Sequence, residues 1–388
     1  MEGLVYCARS SFNNQLVTFE DEPLEDEPHL LARPKRAPSE NERKSETLFE
    51  TIETRHGIVG RLSRNAPEQP GIYSRSQKPA SELCAFYSEQ DFGEIVPQLK
   101  LIRVQSRFSA GRTGSAGSFS LNITRSLFGL LFDQLQANPW VLWLISSKYD
   151  GFHHIKAQNK HADTYFFGFF HSAVVWTFLP ATACTKVLLI SRISSQHETF
   201  YVLLNRYTPH LFTPYVPFMA IALATMLGYD ERLDSYVNDI INVEKGTGFS
   251  WVGEDMPDFR FDVDALAKWS RVSASVQINI INLLRHHDNC IRALDTIQEL
   301  HNKGILESAN VKYKEDYDRS ITEILDAIHI LKMRADSFIP YATYLKNRAE
   351  AQISVVRFSP DKSHPLLEAS NRSNLQDIRT PHSRRLQL

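Results

Sequence analysis

Residues whose types suit chemistry are few in this chain, and their spacing is loose. The densest group is acidic, with Glu254, Asp255, Asp258, Asp262 and Asp264 close together. Clustered oxygen ligands of this kind suit a hard divalent cation, which makes Glu254, Asp255 and Asp258 the candidate metal ligands. The plainer reading is a solvated loop ahead of a helix. Asp262 then serves as N-cap, and the other carboxylates favour the positive end of the helix dipole. His153 and His154, with His161 nearby, lack the i, i+4 spacing that sets two imidazoles on one helix face, so a loop position is expected for them. Cys7, Cys84, Cys184 and Cys290 make no CxxC pair, have no histidine at zinc spacing, and fit a reducing compartment. Gly111, Gly114 and Gly117 punctuate the stretch from Ser109 to Ser118, but no GK[ST] follows, so it is a loop and not a phosphate cradle. HExxH, GxSxG and Walker patterns are all missing. The chain therefore reads as a non-enzyme, with no catalytic or cofactor-binding residue assigned. An enzyme of unrecognised chemistry, resting on the acidic and histidine clusters, is the more distant alternative.

The elements that would position such residues form a head followed by a helical segment. Residues 1–80 read as a disordered tail, because Pro, Ser, Glu and Arg dominate and the charges come in blocks, such as Glu20-Asp21-Glu22. Residues 81–250 read as an α+β domain: a small mixed or antiparallel sheet with flanking helices. Alternation from Gln98 to Gln105 predicts a strand. Thr124 caps a helix carrying Leu127, Leu130, Leu131 and Leu135, which Asn138-Pro139 stops, and Trp140 and Trp143 are expected to plug a core. Apolar runs at 165–170, 173–178 and 186–191, followed by 200–204, predict an antiparallel meander. Residues 164–185 and 207–229 carry no charge and are long enough to cross a bilayer of about 30 Å. Pro180 in the first stretch, and Pro209, Pro214 and Pro217 in the second, favour buried core over a membrane span.

The strongest periodicity lies at 260–356, read as a long antiparallel, coiled-coil-like helical pair. Trp269, Val272, Val276, Ile280, Leu283, His287, Cys290, Leu294, Ile297 and His301 follow steps of three and four, with one extra four after Val276, until Gly304. Tyr317, Ile321, Ile324, Ile328, Leu331, Ala335, Phe338, Ala342, Leu345, Ala349, Gln352 and Val356 then alternate four and three without interruption. His287 and His301 on the seam are expected to be satisfied core residues and not metal ligands. Pro340 is expected to kink the second helix. Residues 357–388 read as a polar, disordered tail.

Whole-chain composition excludes other classes. With 43 Lys and Arg against 45 Asp and Glu, the net charge of −2 does not suit a bulk nucleic-acid binder, so no nucleic-acid partner is expected. Hydrophobic residues at 43% indicate a packed globular chain. The N-terminus turns acidic without a basic stretch leading into an apolar one, so no signal peptide is read, and the expected location is cytoplasmic and not secreted.

Four stretches together resemble a fungal family of CorA-like divalent-cation transporters. They are LNITRSLF at 121–128, VEKGTGFSW at 243–251, ALDTIQEL at 293–300 and YLKNRAEAQISVV at 344–356. The similarity covers roughly residues 98–356. It implies a cytosolic α+β domain, a helical stalk, self-association through the heptad helices and, in complete members, Mg²⁺ transport through two C-terminal spans. Mg²⁺ enters by this resemblance alone. The chain departs from the family after Val356, where RFSPDKSHP leads into a polar stretch, and it contains no Gly-Met-Asn pore signature. The expected product is thus a non-catalytic CorA-like cytosolic domain that lacks the pore, moves no ions as written, and is membrane-associated through a partner. The alternative is a membrane protein related to Mg²⁺ transport, with spans at 164–185 or 207–229.

Overall fold

The computed structural model describes residues 18–19, 48–55, 72–88, 97–109, 118–147, 149–157, 162–169, 172–191, 197–248, 263–303 and 313–358. The chain divides into two units, one of Met1–Gly228 with His286–Ala335, the other of Tyr229–Arg285 with Asp336–Leu388.

The first unit is α+β. Its strands are β1 (Thr18–Phe19), β2 (Leu48–Arg55), β3 (Ile72–Pro79), β4 (Gln98–Ser109), β5 (Ser118–Leu121), β6 (Gly151–Ile155), β7 (Asp163–Phe169), β8 (Ser172–Leu179) and β9 (Cys184–Ser191). Along the sheet the order is β1-β5-β4-β9-β8-β7-β6, with β2 also paired to β4 and β3 to β2. The β4–β9 and β1–β5 pairs are parallel and the others antiparallel. Strands β7, β8 and β9 form the expected meander. Residues 200–204 do not extend it: they lie in helix α4 (His197–Arg206), where Phe200, Tyr201, Leu203 and Leu204 turn inward at helical spacing.

Three of the strands, β1, β2 and β3, fall within the first eighty residues, where a tail is expected. β2 takes its place beside β4 because Phe49 and Ile52 are buried, on opposite faces of the strand, which a block-wise reading of charge overlooks. The rest of the expected tail at 1–80, and residues 359–388, lie outside the described residues. His153 and His154 also depart from expectation, since they sit on β6 and not in a loop.

One face of the sheet is covered by α1 (Ala80–Ser88), α2 (Arg125–Leu135) and α3 (Trp140–Ser146), over a core that includes Ile102, Val104, Phe128, Leu131, Val175 and Leu188. Thr124 caps α2 as predicted, its Oγ1 accepting from the Leu127 amide at 3.3 Å. Trp143 is exposed, and Val141, Leu144 and Ile145 fill the core in its place. The opposite face carries α4, a 3₁₀ turn (Thr208–His210) and the start of α5 (Val216–Thr247). There Trp176 stacks on Tyr165 at 5.3 Å and donates from Nε1 to the Pro214 carbonyl. Both charge-free stretches are therefore core: the described part of 164–185 falls in β7, β8, β9 and the turn between the last two, and 207–229 buries Tyr215, Val216, Phe218, Met219 and Ile221. Among the described residues no helix is long and apolar enough to cross a membrane.

Two further long helices follow, α6 (Val263–Asn302) and α7 (Lys314–Phe358). Like α5, each has residues in both units. All twelve seam positions predicted on α7 are buried. The α6 seam is buried from Val276 to Ile297, but before Val276 it follows Ser270 and Ser273, one residue off the Trp269 and Val272 expected there. The extra step after Val276 marks this change of register. In the second unit α5 joins α7 as a third heptad helix, with Tyr229 near Phe338 and Glu244 and Thr247 bonded to Arg348 and Gln352. Helix α7 continues through Pro340, which is exposed.

Candidate functional site

The residues singled out for chemistry do not assemble. Glu254, Asp255, Asp258 and Asp262 lie outside the described residues, and Asp264 is exposed on the first turn of α6. His161 also lies outside them. His153 and His154 point to opposite faces of β6. His154 stacks on Tyr165 at 4.6 Å, with its Nε2 3.7 Å from the Asp163 carboxylate, while His153 lies against Tyr149. His287 is buried in the α6 seam. Among the described residues no group of three or more metal-ligating side chains comes together.

What the fold does assemble is an ionic centre under α4. Glu50 on β2 is buried, and the register sets Arg75 of β3 and Arg103 of β4 on the same face. Arg75 pairs with one Glu50 oxygen, while the other accepts from Arg103 at 3.0 Å and from the Tyr201 hydroxyl at 2.7 Å. Arg103 also donates to Ser191 Oγ at 2.9 Å. The outer edge of Arg75 forms a two-bond fork with Glu198 on α4, both bonds at 2.8 Å, and its guanidinium lies over the Tyr201 ring. Burial alone would push the Glu50 carboxyl up, but the Tyr201 hydrogen bond and the two guanidinium groups together hold it below the usual carboxylate range. Burial, helped by Glu50, drives the Tyr201 hydroxyl well above its ordinary value. A carboxylate so engaged, beside a phenol that stays protonated, offers neither a base nor a nucleophile. The centre clamps α4 to three strands.

A second polar row crosses the other face: Glu53, Lys100, Lys186, Thr177 and Thr164 stand at paired positions on five strands. Lys100 and Lys186 are both buried, and they meet the ends of two helices. Lys100 Nζ donates to Phe86 O in the last turn of α1 at 2.8 Å. Lys186 Nζ and Thr177 Oγ1 donate to Gln134 O and Leu135 O at the end of α2, at 3.0 and 2.7 Å. Ammonium groups at carbonyl ends satisfy acceptors that have no intrahelical donor and complement the negative end of the dipole. Burial, and the neighbouring Lys100, lower the Lys186 ammonium from its ordinary value. This pair holds the ends of two helices against the sheet.

The second unit has its own polar layer. Arg348 reaches Glu244 through two bonds of 2.9 and 2.6 Å, and Thr247 donates to Gln352 at 2.9 Å, both between α5 and α7. The sequence reading missed all three arrangements. Glu50 and Arg75 lie in the stretch taken for a tail, and Lys100 occupies the polar phase of an alternating strand that in fact is covered on both faces. A repeat at Tyr229, Leu233, Tyr236, Ile240, Val243 and Thr247 is the signal that would have revealed α5. Compared with known proteins, the chain matches no family model and no curated sequence.

Proposed function

We propose that the chain is a non-catalytic, CorA-like protein, an α+β head joined to a helical stalk, that acts by associating with itself and with a membrane partner and not by moving ions. The observation that carries this reading is α7, a 45-residue helix, about 70 Å long, whose twelve seam positions at period 3.5 are all buried. The order of head then stalk agrees with what the resemblance implies. The polar centres support an interaction role, since each is committed to holding elements together. Mg²⁺ rests on the resemblance alone, and association is expected without it. The cytoplasmic face of a membrane is the expected location. Membrane spans at 164–185 or 207–229 are not carried forward, because those residues fill the core of the head.

Light scattering on the eluting full chain, with and without about 10 mM Mg²⁺, tests the reading against the millimolar range of weak divalent-cation sites. The expected result is a mass that rises with protein concentration equally in both buffers. A monomer mass throughout, or association only with Mg²⁺, would overturn it.

A further inference from the structure

At the β6 end of the sheet the first unit gathers three phenols, an imidazole and a carboxylate. Register sets His154 of β6 beside Tyr165 of β7, and Tyr165 beside Trp176 of β8, and the three rings stack in turn at 4.6 and 5.3 Å. Asp163, two residues before Tyr165, stands on the same face of β7. Tyr215 meets the Tyr165 ring edge-on at 6.4 Å, and its backbone is fixed by an amide bond to Thr213 Oγ1 at 3.4 Å and a carbonyl bond from the Met219 amide at 2.9 Å. Tyr317 comes from the start of α7. Burial, and behind it Asp163 and Tyr317, drive the Tyr165 and Tyr215 hydroxyls well above their ordinary value, so both neighbours lie within electrostatic reach of both phenols.

Two polar atoms of this cluster are buried with no hydrogen-bond partner among the described residues: the hydroxyl of Tyr215, a residue 0% exposed, and Nε2 of His154, whose side chain is 4% exposed. A buried donor or acceptor left alone costs free energy comparable to the bond it fails to make, so such atoms nearly always find a partner in protein or in ordered water. His154 Nε2 stands 3.7 Å from Asp163 Oδ1, too far for a direct bond but spaced for one oxygen to sit about 2.8 Å from both. We infer that one ordered water molecule is bound here, held by the Tyr215 hydroxyl, His154 Nε2 and the Asp163 carboxylate. The protons balance. Tyr215, kept protonated, donates to the water oxygen, and the two water hydrogens go to the carboxylate and to Nε2, which makes His154 the Nδ1–H tautomer. Three bonds are the usual complement of an internal water. Asp163 is part-exposed, which gives solvent a way in, and its Oδ1 is fixed by the Ala157 amide at 2.7 Å. The water thus forms a polar joint where the start of α7 meets the end of the sheet.

Tyr215→Phe in the full chain tests this, because it removes the hydroxyl and nothing else. With the water in place, the folded-to-unfolded ratio from urea titration should fall about fivefold, the loss of one ordinary hydrogen bond. A hydroxyl without a partner gives the opposite sign: its removal leaves the ratio unchanged or raises it, and that result overturns the proposal. His154→Phe, which keeps a ring stacked on Tyr165, should lower the ratio as well. Since both groups hold one water, the double variant should lose clearly less than the product of the two single factors, and independent factors overturn the shared site. A crystal structure of the full chain reads the site directly. A density peak within about 3.2 Å of Tyr215 Oη, His154 Nε2 and the Asp163 carboxylate is expected, and ordered side chains with no peak between them overturn it.

Discussion

A buried carboxylate keeps its charge only if its surroundings replace water, and Glu50 has two guanidinium groups and a phenol to do so. Removing the charge while keeping the shape should leave the largely buried Arg103 guanidinium without its counter-charge. Glu50→Gln is expected to lose about 3 kcal/mol at neutral pH, read by urea unfolding. The sign of the pH dependence follows from the lowered carboxyl. Because Glu50 titrates lower in the folded chain, its contribution is whole above its unfolded value of about 4.3 and fades as pH falls through the folded value. The difference between wild type and Glu50→Gln should therefore shrink in acid. A gap that stays constant from neutral pH to pH 3 would mean that the network is not what holds α4 down.

Among the elements, the heptad helices were the most legible in sequence and the polar ones the least. Every predicted α7 position is buried because period 3.5 over that length leaves one face to choose. On α6 the register moved by one, since Ser270 and Ser273 face inward and Trp269 lies instead along Gly246 of α5. A methyl on Gly246 would come within 2.5 Å of the Trp269 ring. Gly246→Ala should thus cost about 2 kcal/mol by overpacking, and Trp269→Leu in the same chain should recover part of it. Additive losses in the double variant would refute that contact. Arg348→Ala leaves Glu244 buried without its guanidinium and should cost about 3 kcal/mol, while Glu244→Gln with Arg348→Met should restore most of the loss. Equal losses in the single and double variants would show that the pair adds nothing to the packing of α5 on α7. Such pairs escape a sequence reading because their partners lie about a hundred residues apart, and the pattern of one helix does not name the other.

For the whole molecule, the α+β class and the division into head and heptad helices were readable from periodicity and turn residues. Strands β2 and β3 were not, because charge blocks around them look like a solvated chain. The proposed interaction role draws on two of these pieces: polar groups spent on holding elements, and a long patterned helix. The claim on which this depends is that the chain associates with itself. Sedimentation equilibrium of the full chain from about 1 to 100 µM spans the range of a weak, transient interface. A mass that rises reversibly with concentration across that range is the result predicted. A single monomer mass across the whole range would contradict it.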